Sequence, residues 1–181
     1  MSPSIAAAPP STPRSPSFAL RPAEPRDVEA IVALIRELAE FEHLTHLVQI
    51  TPQTLHPHLF GPKPVVEAVV ATGLDADGPV VGFALYFTNF STFLDKPGLD
   101  LEDLYVQPEH RGGGLGRAFL SHLARLAVER GCGRFEWSVL DWNANAIGFY
   151  EKMGATVMPE WRICRLAGDS LAAYGRSADP G

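Results

Sequence analysis

The segment Gln107-Pro108-Glu109-His110-Arg111-Gly112-Gly113-Gly114-Leu115-Gly116-Arg117 is where this sequence is best equipped to hold a ligand. Loop glycines let backbone N–H groups approach an anion closely. A helix starting there adds unsatisfied donors and the positive end of a dipole. That combination suits a pyrophosphate. A Walker loop would need Gly-Lys-Ser/Thr, but Arg117-Ala118 follows Gly116. The dinucleotide fingerprint would need a third glycine where Phe119 stands. The pattern present is Arg-x-x-Gly-x-Gly, at Arg111, Gly114 and Gly116. The plain alternative is a glycine-rich turn that only starts a helix.

Just upstream, Leu101-Glu102-Asp103-Leu104-Tyr105-Val106 sets two adjacent acids in an otherwise apolar run. Neighbours on a strand point to opposite faces, so only one of the pair is expected on the interior side. Buried carboxylates are costly unless they bind something. A strand-edge carboxylate in an ordinary ion pair is the bland reading; the adjacent glycine loop tips the balance toward a site. A primary amine, with pKa ~10.4, is protonated at neutral pH and must lose a proton before it attacks a carbonyl. A carboxylate can hold the ammonium and accept that proton. Glu102 is the expected base, with Asp103 its orienting neighbour.

The third cluster runs from Leu140 to Ala155. Asn143 is placed as a helix N-cap, Tyr150 lies two turns on, and Gly154 supplies a left-handed C-terminal cap. Taken alone, Phe149 and Tyr150 would read as core aromatics.

These residues need a frame. Phe18 to Arg21 reads as a short strand, and Val28, Ile31, Val32, Ile35, Leu38 and Ala39 recur at helical spacing. Prolines at 52, 57, 62 and 64 leave room for one short helix before Gly61. Val65–Thr72 and Pro79–Asn89 are β-rich runs joined through Asp77-Gly78, a hairpin signal, and Leu99–Val106 is a further strand. From Leu115 the pattern turns helical until Gly131. Phe135–Leu140 predicts a strand, Ala144–Met153 a helix, and Thr156–Leu166 a last strand pair. The order implies α/β architecture around one mixed sheet.

The 181 residues suit one domain with a substantial core. Residues 1–17 are almost entirely Ser, Pro and Ala and predict a disordered tail without a secretory h-region. The domain is expected over 18–174 and a flexible C-terminus over 175–181. No apolar run is long enough to span a bilayer. Two cysteines, Cys132 and Cys164, build no disulfide framework, which favours a cytoplasmic location. Cys132 stands next to no evident base, a poor setting for a nucleophile. A net charge of -6 without Lys/Arg clusters argues against nucleic acid. His43 and His46 lack a third ligand, so no metal is expected.

Arg111 to Gly116 resembles the coenzyme A pyrophosphate loop of GNAT acetyltransferases. Asn-x-x-Ala-x-x-Phe-Tyr-x-x-x-Gly-Ala, from Asn143 to Ala155, resembles that superfamily's second signature. The resemblance covers about Phe18 to Tyr174. It is similar to the diamine (spermidine/spermine and thialysine) branch at Arg21-Pro22-Ala23, Glu37 to Glu42, Val81 to Tyr86, Leu101-Glu102-Asp103, Trp142-Asn143 and Trp161-Arg162. It implies a single-domain GNAT fold, a mixed, mostly antiparallel sheet flanked by helices, with acetyl-CoA as co-substrate. Cofactor contacts would fall on Leu104, Tyr105, Val106, Arg111, Gly112, Gly113, Gly114, Leu115, Gly116, Arg117, Asn143, Ala144, Asn145, Ala146 and Tyr150. Tyr150 would protonate the leaving thiolate. Amine contacts would fall on Phe41, Glu42, Glu102, Asp103, Glu136, Trp137, Ser138 and Glu160, and the assembly would be a homodimer. The segment after the first helix departs from the acid-rich polyamine pattern with His43-Leu44-Thr45-His46, and Phe93 replaces a tryptophan. Fewer carboxylates weaken the case for a multiply charged amine.

The function expected is N-acetyl transfer from acetyl-CoA to a small primary amine by direct attack. A non-catalytic acyl-CoA-binding module and a protein amine acetyltransferase are the alternatives.

Overall fold

The computed structural model describes residues 18–177. The tail expected over 1–17 lies outside the described residues, as do 178–181 of the expected flexible C-terminus. The sequence suggests one domain over 18–174; the chain forms two compact units divided between Ser138 and Val139.

In the first unit, β1 (Ala19–Pro22), β2 (Glu67–Thr72), β3 (Val80–Ser91), β4 (Lys96–Val106) and β5 (Arg134–Trp137) lie side by side in that order. β1 to β4 pair antiparallel, and β5 runs parallel to β4. That parallel pair requires a crossover, supplied by the helix α3 (Leu115–Glu129). This is the mixed, mostly antiparallel α/β sheet the sequence implied. The β2–β3 connection closes as a turn in which Asp75 accepts from the N–H groups of Asp77 and Gly78.

Two helices precede β2: α1 (Val28–Phe41) and α2 (Pro52–Phe60). Thr51 caps α2 by accepting from Thr54 N–H at 3.2 Å, and Pro52 opens it where no backbone donor is needed. Val28, Ile31, Val32 and Leu34 of α1 pack with Leu55 and Leu59 of α2 onto Ala68, Val70, Phe83, Leu85 and Tyr105. Each large side chain buried this way contributes about 1.5–3 kcal/mol. The opposite face of the sheet receives α3. A Cβ on Gly82 would lie 3.3 Å from the Phe119 ring, and Leu115, Phe119, Leu120 and Leu123 are buried. β4 is therefore sandwiched between two apolar layers.

Arg21 explains part of the Arg21-Pro22-Ala23 pattern. Its guanidinium donates to Asp27 at 2.6 and 2.9 Å, and Glu24 N–H donates to the same carboxylate at 2.7 Å. Burial alone would raise the Asp27 carboxyl, but these bonds hold it below the ordinary carboxylate range.

The second unit contains α4 (Ala144–Lys152) and α5 (Gly168–Ser177). The strand pair expected over Thr156–Leu166 is absent: those residues form no strand. Val157 and Ile163 gave the stretch β propensity, but a strand exists only through a partner ladder. Pro159 also removes a donor from the segment. The run Leu171-Ala172-Ala173-Tyr174, too short to show a period, instead sits in α5. Residues 175–177 close that helix.

Candidate functional site

The glycine loop connects β4 to α3 through a short turn at Pro108–His110. Gly112 and Gly114 have φ of +79° and +86°, which explains glycine at both. Gly114 is the N-cap of α3 and makes no side-chain cap bond; the first helical bond runs from Ala118 N–H to Gly114 O at 2.9 Å. The donors of the first turn are thus left to an outside acceptor. Gly113 and Gly116 differ, because neither has a positive φ. A Cβ on either would meet nothing within 4 Å among the described residues. Neither backbone conformation nor packing among the described residues requires glycine there.

Arg111 is placed otherwise than a free phosphate ligand. Its Nε donates to Val106 O at 2.7 Å, and its guanidinium lies 5.2 Å from the Tyr105 ring centre and 5.6 Å from that of Phe41. It ties the loop to the end of α1 and to β4. Arg117 is exposed in the first turn of α3.

β4 supplies the second part of the site. Its ladder with β5 ends at the Leu101–Trp137 pair, although β4 continues to Val106. Residues 102–106 therefore run beyond the ladder on that side. On the other side, Leu85 pairs with Asp103 and Tyr86 with Leu101, so Glu102 is an extra residue in a β-bulge. This corrects the expectation that the two acids point to opposite faces: both lie on the α1 side of the sheet, Asp103 half-buried and Glu102 exposed. Phe83, Leu85 and Phe87 alternate onto the α1 face, and they pair with Tyr105, Asp103 and Asp100. Glu102 is two residues from Asp100, on that same side of the bulge. Leu104 and Val106, opposite Ala84 and Gly82, point to the α3 face.

The electrostatics follow from this convergence. Burial, then the charges of Glu102 and Glu42, push the Asp103 carboxyl up to about 6. Burial also raises Glu42, just past the end of α1. Asp100 is raised by burial and by Glu136 and Glu102, against a bond from Asn89. The Asn89 amide donates to both Asp100 (3.0 Å) and Glu136 (2.9 Å), and Arg134 pairs with Glu136 at 3.0 Å. Asp100 and Asn89 were missed in the sequence. Asp100 was detectable as the residue two before Glu102 on a strand face; Asn89 shows no signal without the register.

The first unit thus brings together Phe41, Glu42, Glu102, Asp103, Tyr105 and the loop from Arg111 to Arg117. Glu136 and Trp137 lie on β5, with the Trp137 ring 4.9 Å from Phe135, and Ser138 ends the unit.

The second unit holds the remaining expected residues. Asn143 Oδ1 accepts from Ala146 N–H at 3.2 Å, capping α4 as expected. Asn145 is exposed beside Ala144 in the first turn. The Tyr150 ring stands 5.5 Å from Phe149, and Tyr150 O accepts from Met153 and Ala155 N–H groups. Gly154, φ +93°, ends the helix. Glu160 is exposed in the irregular segment. Among the described residues no group of three or more His, Cys, Asp or Glu could hold a metal ion. No helix among them is long and apolar enough to cross a membrane.

Comparison with known proteins identifies the family. Residues 31–155 match the model of the acetyltransferase (GNAT) family. The L-ornithine N5-acetyltransferase of Arabidopsis thaliana is 37% identical, over 87% of this chain and 87% of its own. The thialysine N-epsilon-acetyltransferase of Mus musculus is 37% identical, over 86% and 95%. An integron cassette protein from the mobile metagenome of V. cholerae superposes with a TM-score of 0.73 at 25% identity, covering 88% of this chain and 98% of its own.

Proposed function

This chain belongs to the GNAT acetyltransferase family and is an N-acetyltransferase, and from that premise we propose that it moves the acetyl group of acetyl-CoA to a primary amine of a small molecule. The observation that carries the reading is the glycine identity of Gly113 and Gly116, which nothing inside the protein requires. At an uncapped helix start, those positions suit a diphosphate, with backbone N–H groups as its donors. The stretch of β4 past the β5 ladder gives an extended pantetheine arm a strand edge to lie along. That would deliver the thioester beside the bulge, where carboxylates wait for an ammonium.

The amine is then held by Glu42, Glu102 and Asp103, with Asp100 and Glu136 further along the same face. Direct attack needs no acyl-enzyme. Tyr150 protonates the departing thiolate in this reading. The named activities of the ornithine and thialysine relatives support a small acceptor that carries more than one polar group. A homodimer and a cytoplasmic location complete the reading; light scattering tests the first.

The test is a screen of polyamines, lysine analogues, ornithine and other amino acids with acetyl-CoA, read by release of free thiol. Turnover of at least one small amine is expected. Tight acetyl-CoA binding without turnover of any amine would instead make the chain an acyl-CoA-binding module. Turnover confined to peptide amines would make it a protein acetyltransferase.

A further inference from the structure

We propose that Asp103, rather than Glu102, is the residue that takes the proton from the attacking amine, and that Glu102 serves to hold the ammonium. The inference rests on the function proposed above and reassigns a role within its site. Its basis is the bulge. In a regular strand Asp103 would point toward α3, away from Glu102. Because Glu102 is inserted against β3, Asp103 pairs with Leu85 and enters the face covered by α1. It lies two residues beyond the last pair of the β5 ladder, where the edge of β4 opens.

The two acids have different surroundings. Glu102 is exposed, and Asp103 is partly buried between Leu85 across the ladder and Tyr105 two residues on. The charges acting on Asp103 are Glu102 from its own strand and Glu42 from the end of α1, both negative. Arg111, Glu37 and Glu109 act on Tyr105 instead, and Asp100, Glu136 and Arg134 form a separate group further along the face. A general base works best when its pKa is near the operating pH. Asp103, pushed up to about 6, lies close enough to neutral pH to accept a proton from an ammonium and return it to solvent. An exposed, charged carboxylate is better suited to cation binding.

The step balances as follows. Asp103 carboxylate takes one proton from R–NH3+, leaving the free amine. The amine nitrogen attacks the thioester carbonyl carbon; the C–N bond forms and the C–S bond breaks. The nitrogen loses a second proton, and the thiolate gains one to leave as the thiol. Asp103 then returns its proton to solvent, so each turnover releases one proton.

The experiment compares kcat/KM against pH for wild type, Asp103→Asn, Asp103→Glu and Glu102→Gln, alongside an NMR titration of the Asp103 carboxyl. In wild type, activity falls as pH drops through about 6, because the base becomes protonated. Asp103→Asn loses that limb and at least ~10²-fold in kcat, within the usual range for a general base. Asp103→Glu regains part of the rate and the limb. Glu102→Gln keeps the limb but moves it to lower pH, since a like charge is gone, and mainly raises KM. Acetyl-CoA affinity, unchanged in each variant, confirms that it is folded. If Glu102→Gln abolishes the limb while Asp103→Asn only shifts it, Glu102 is the base and the proposal falls. If the carboxyl titrates in the ordinary carboxylate range, the proposal falls whatever the kinetics. If it titrates near 6 and drops on Glu102→Gln but no amine is acetylated, the failure belongs to the proposed function instead.

Discussion

Two helices in this chain begin in opposite ways. α3 starts at Gly114, which has no side chain to offer, and the N–H groups of its first turn stay open. α4 starts at Asn143, whose side chain turns back and satisfies Ala146 N–H. The first start leaves its donors to solvent or a ligand, and the second is completed by the protein. A glycine N-cap costs a few tenths of a kcal/mol relative to a good side-chain cap. Four glycines in five residues add the entropy of the most flexible residue type. An anion at the dipole end would offset that cost. What α3 offers at its start is backbone; what α4 carries, in the second unit, is the proposed acid side chain, Tyr150.

The largest effect should come from that side chain. Tyr150→Phe keeps the ring 5.5 Å from Phe149 and deletes only the hydroxyl. We expect kcat to drop ~10²-fold or more, in the range of general acid catalysis, with acetyl-CoA affinity little changed. The loss should shrink for an acyl donor with a more acidic leaving thiol. A wild-type rate would show that α4 supplies packing, and the contrast with α3 would lose its chemical half.

Next in size is Gly113→Asp. The added side chain enters open space at a residue without a positive φ, so the fold should be undisturbed. It nevertheless places a negative charge where a diphosphate should sit. Calorimetry should show acetyl-CoA affinity lowered at least ~10-fold, about 1.4 kcal/mol. Unchanged affinity would mean that the open start of α3 does not face the cofactor.

These contrasts were unevenly legible in the sequence. The glycine loop and the Asn143 cap could be read directly, because both are local: the residue types state their own backbone requirement. The mixed α/β class followed from the succession of hydrophobic periods, but the spatial order of the strands did not. Nor could the bulge be read. Leu101 to Val106 alternates plausibly in either register, and only the pairing with Leu85 and Tyr86 reveals Glu102 as the extra residue. The face that Asp103 occupies therefore depends on a contact about twenty residues away. Asn89, bridging Asp100 and Glu136, is a long-range fact of the same kind. The stretch 156–166 failed for the converse reason: its propensity was local, but a strand's stability is not.

Asn143→Ala tests the self-satisfied start. Losing the bond to Ala146 N–H should cost ~1 kcal/mol, which for a chain of this size lowers Tm by about 2–4 °C. Asn143→Asp should restore most of it, since its oxygen can cap equally well. Acetyl-CoA affinity, measured on the folded protein, should change less than in Gly113→Asp. A large affinity loss with unchanged Tm would make Asn143 a ligand contact and erase the difference between the helices.

The smallest and most discriminating change is Gly116→Ala. Gly116 is the second residue of α3, has no positive φ, and a methyl group there meets nothing within 4 Å among the described residues. Alanine is the better helix former by up to about 1 kcal/mol in a helix interior, and by less near an end. The free protein should thus become slightly more stable, by a few tenths of a kcal/mol, seen as a small rise in Tm without ligand. If the N–H groups of this turn hold a diphosphate, the same methyl group obstructs close approach, and acetyl-CoA should raise Tm less than in wild type. Opposite signs in the two measurements cannot come from a general loosening of the fold, which would lower both. Should Gly116→Ala be stabilised equally with and without acetyl-CoA, its glycine owes nothing to the ligand, and the start of α3 would be as self-contained as that of α4.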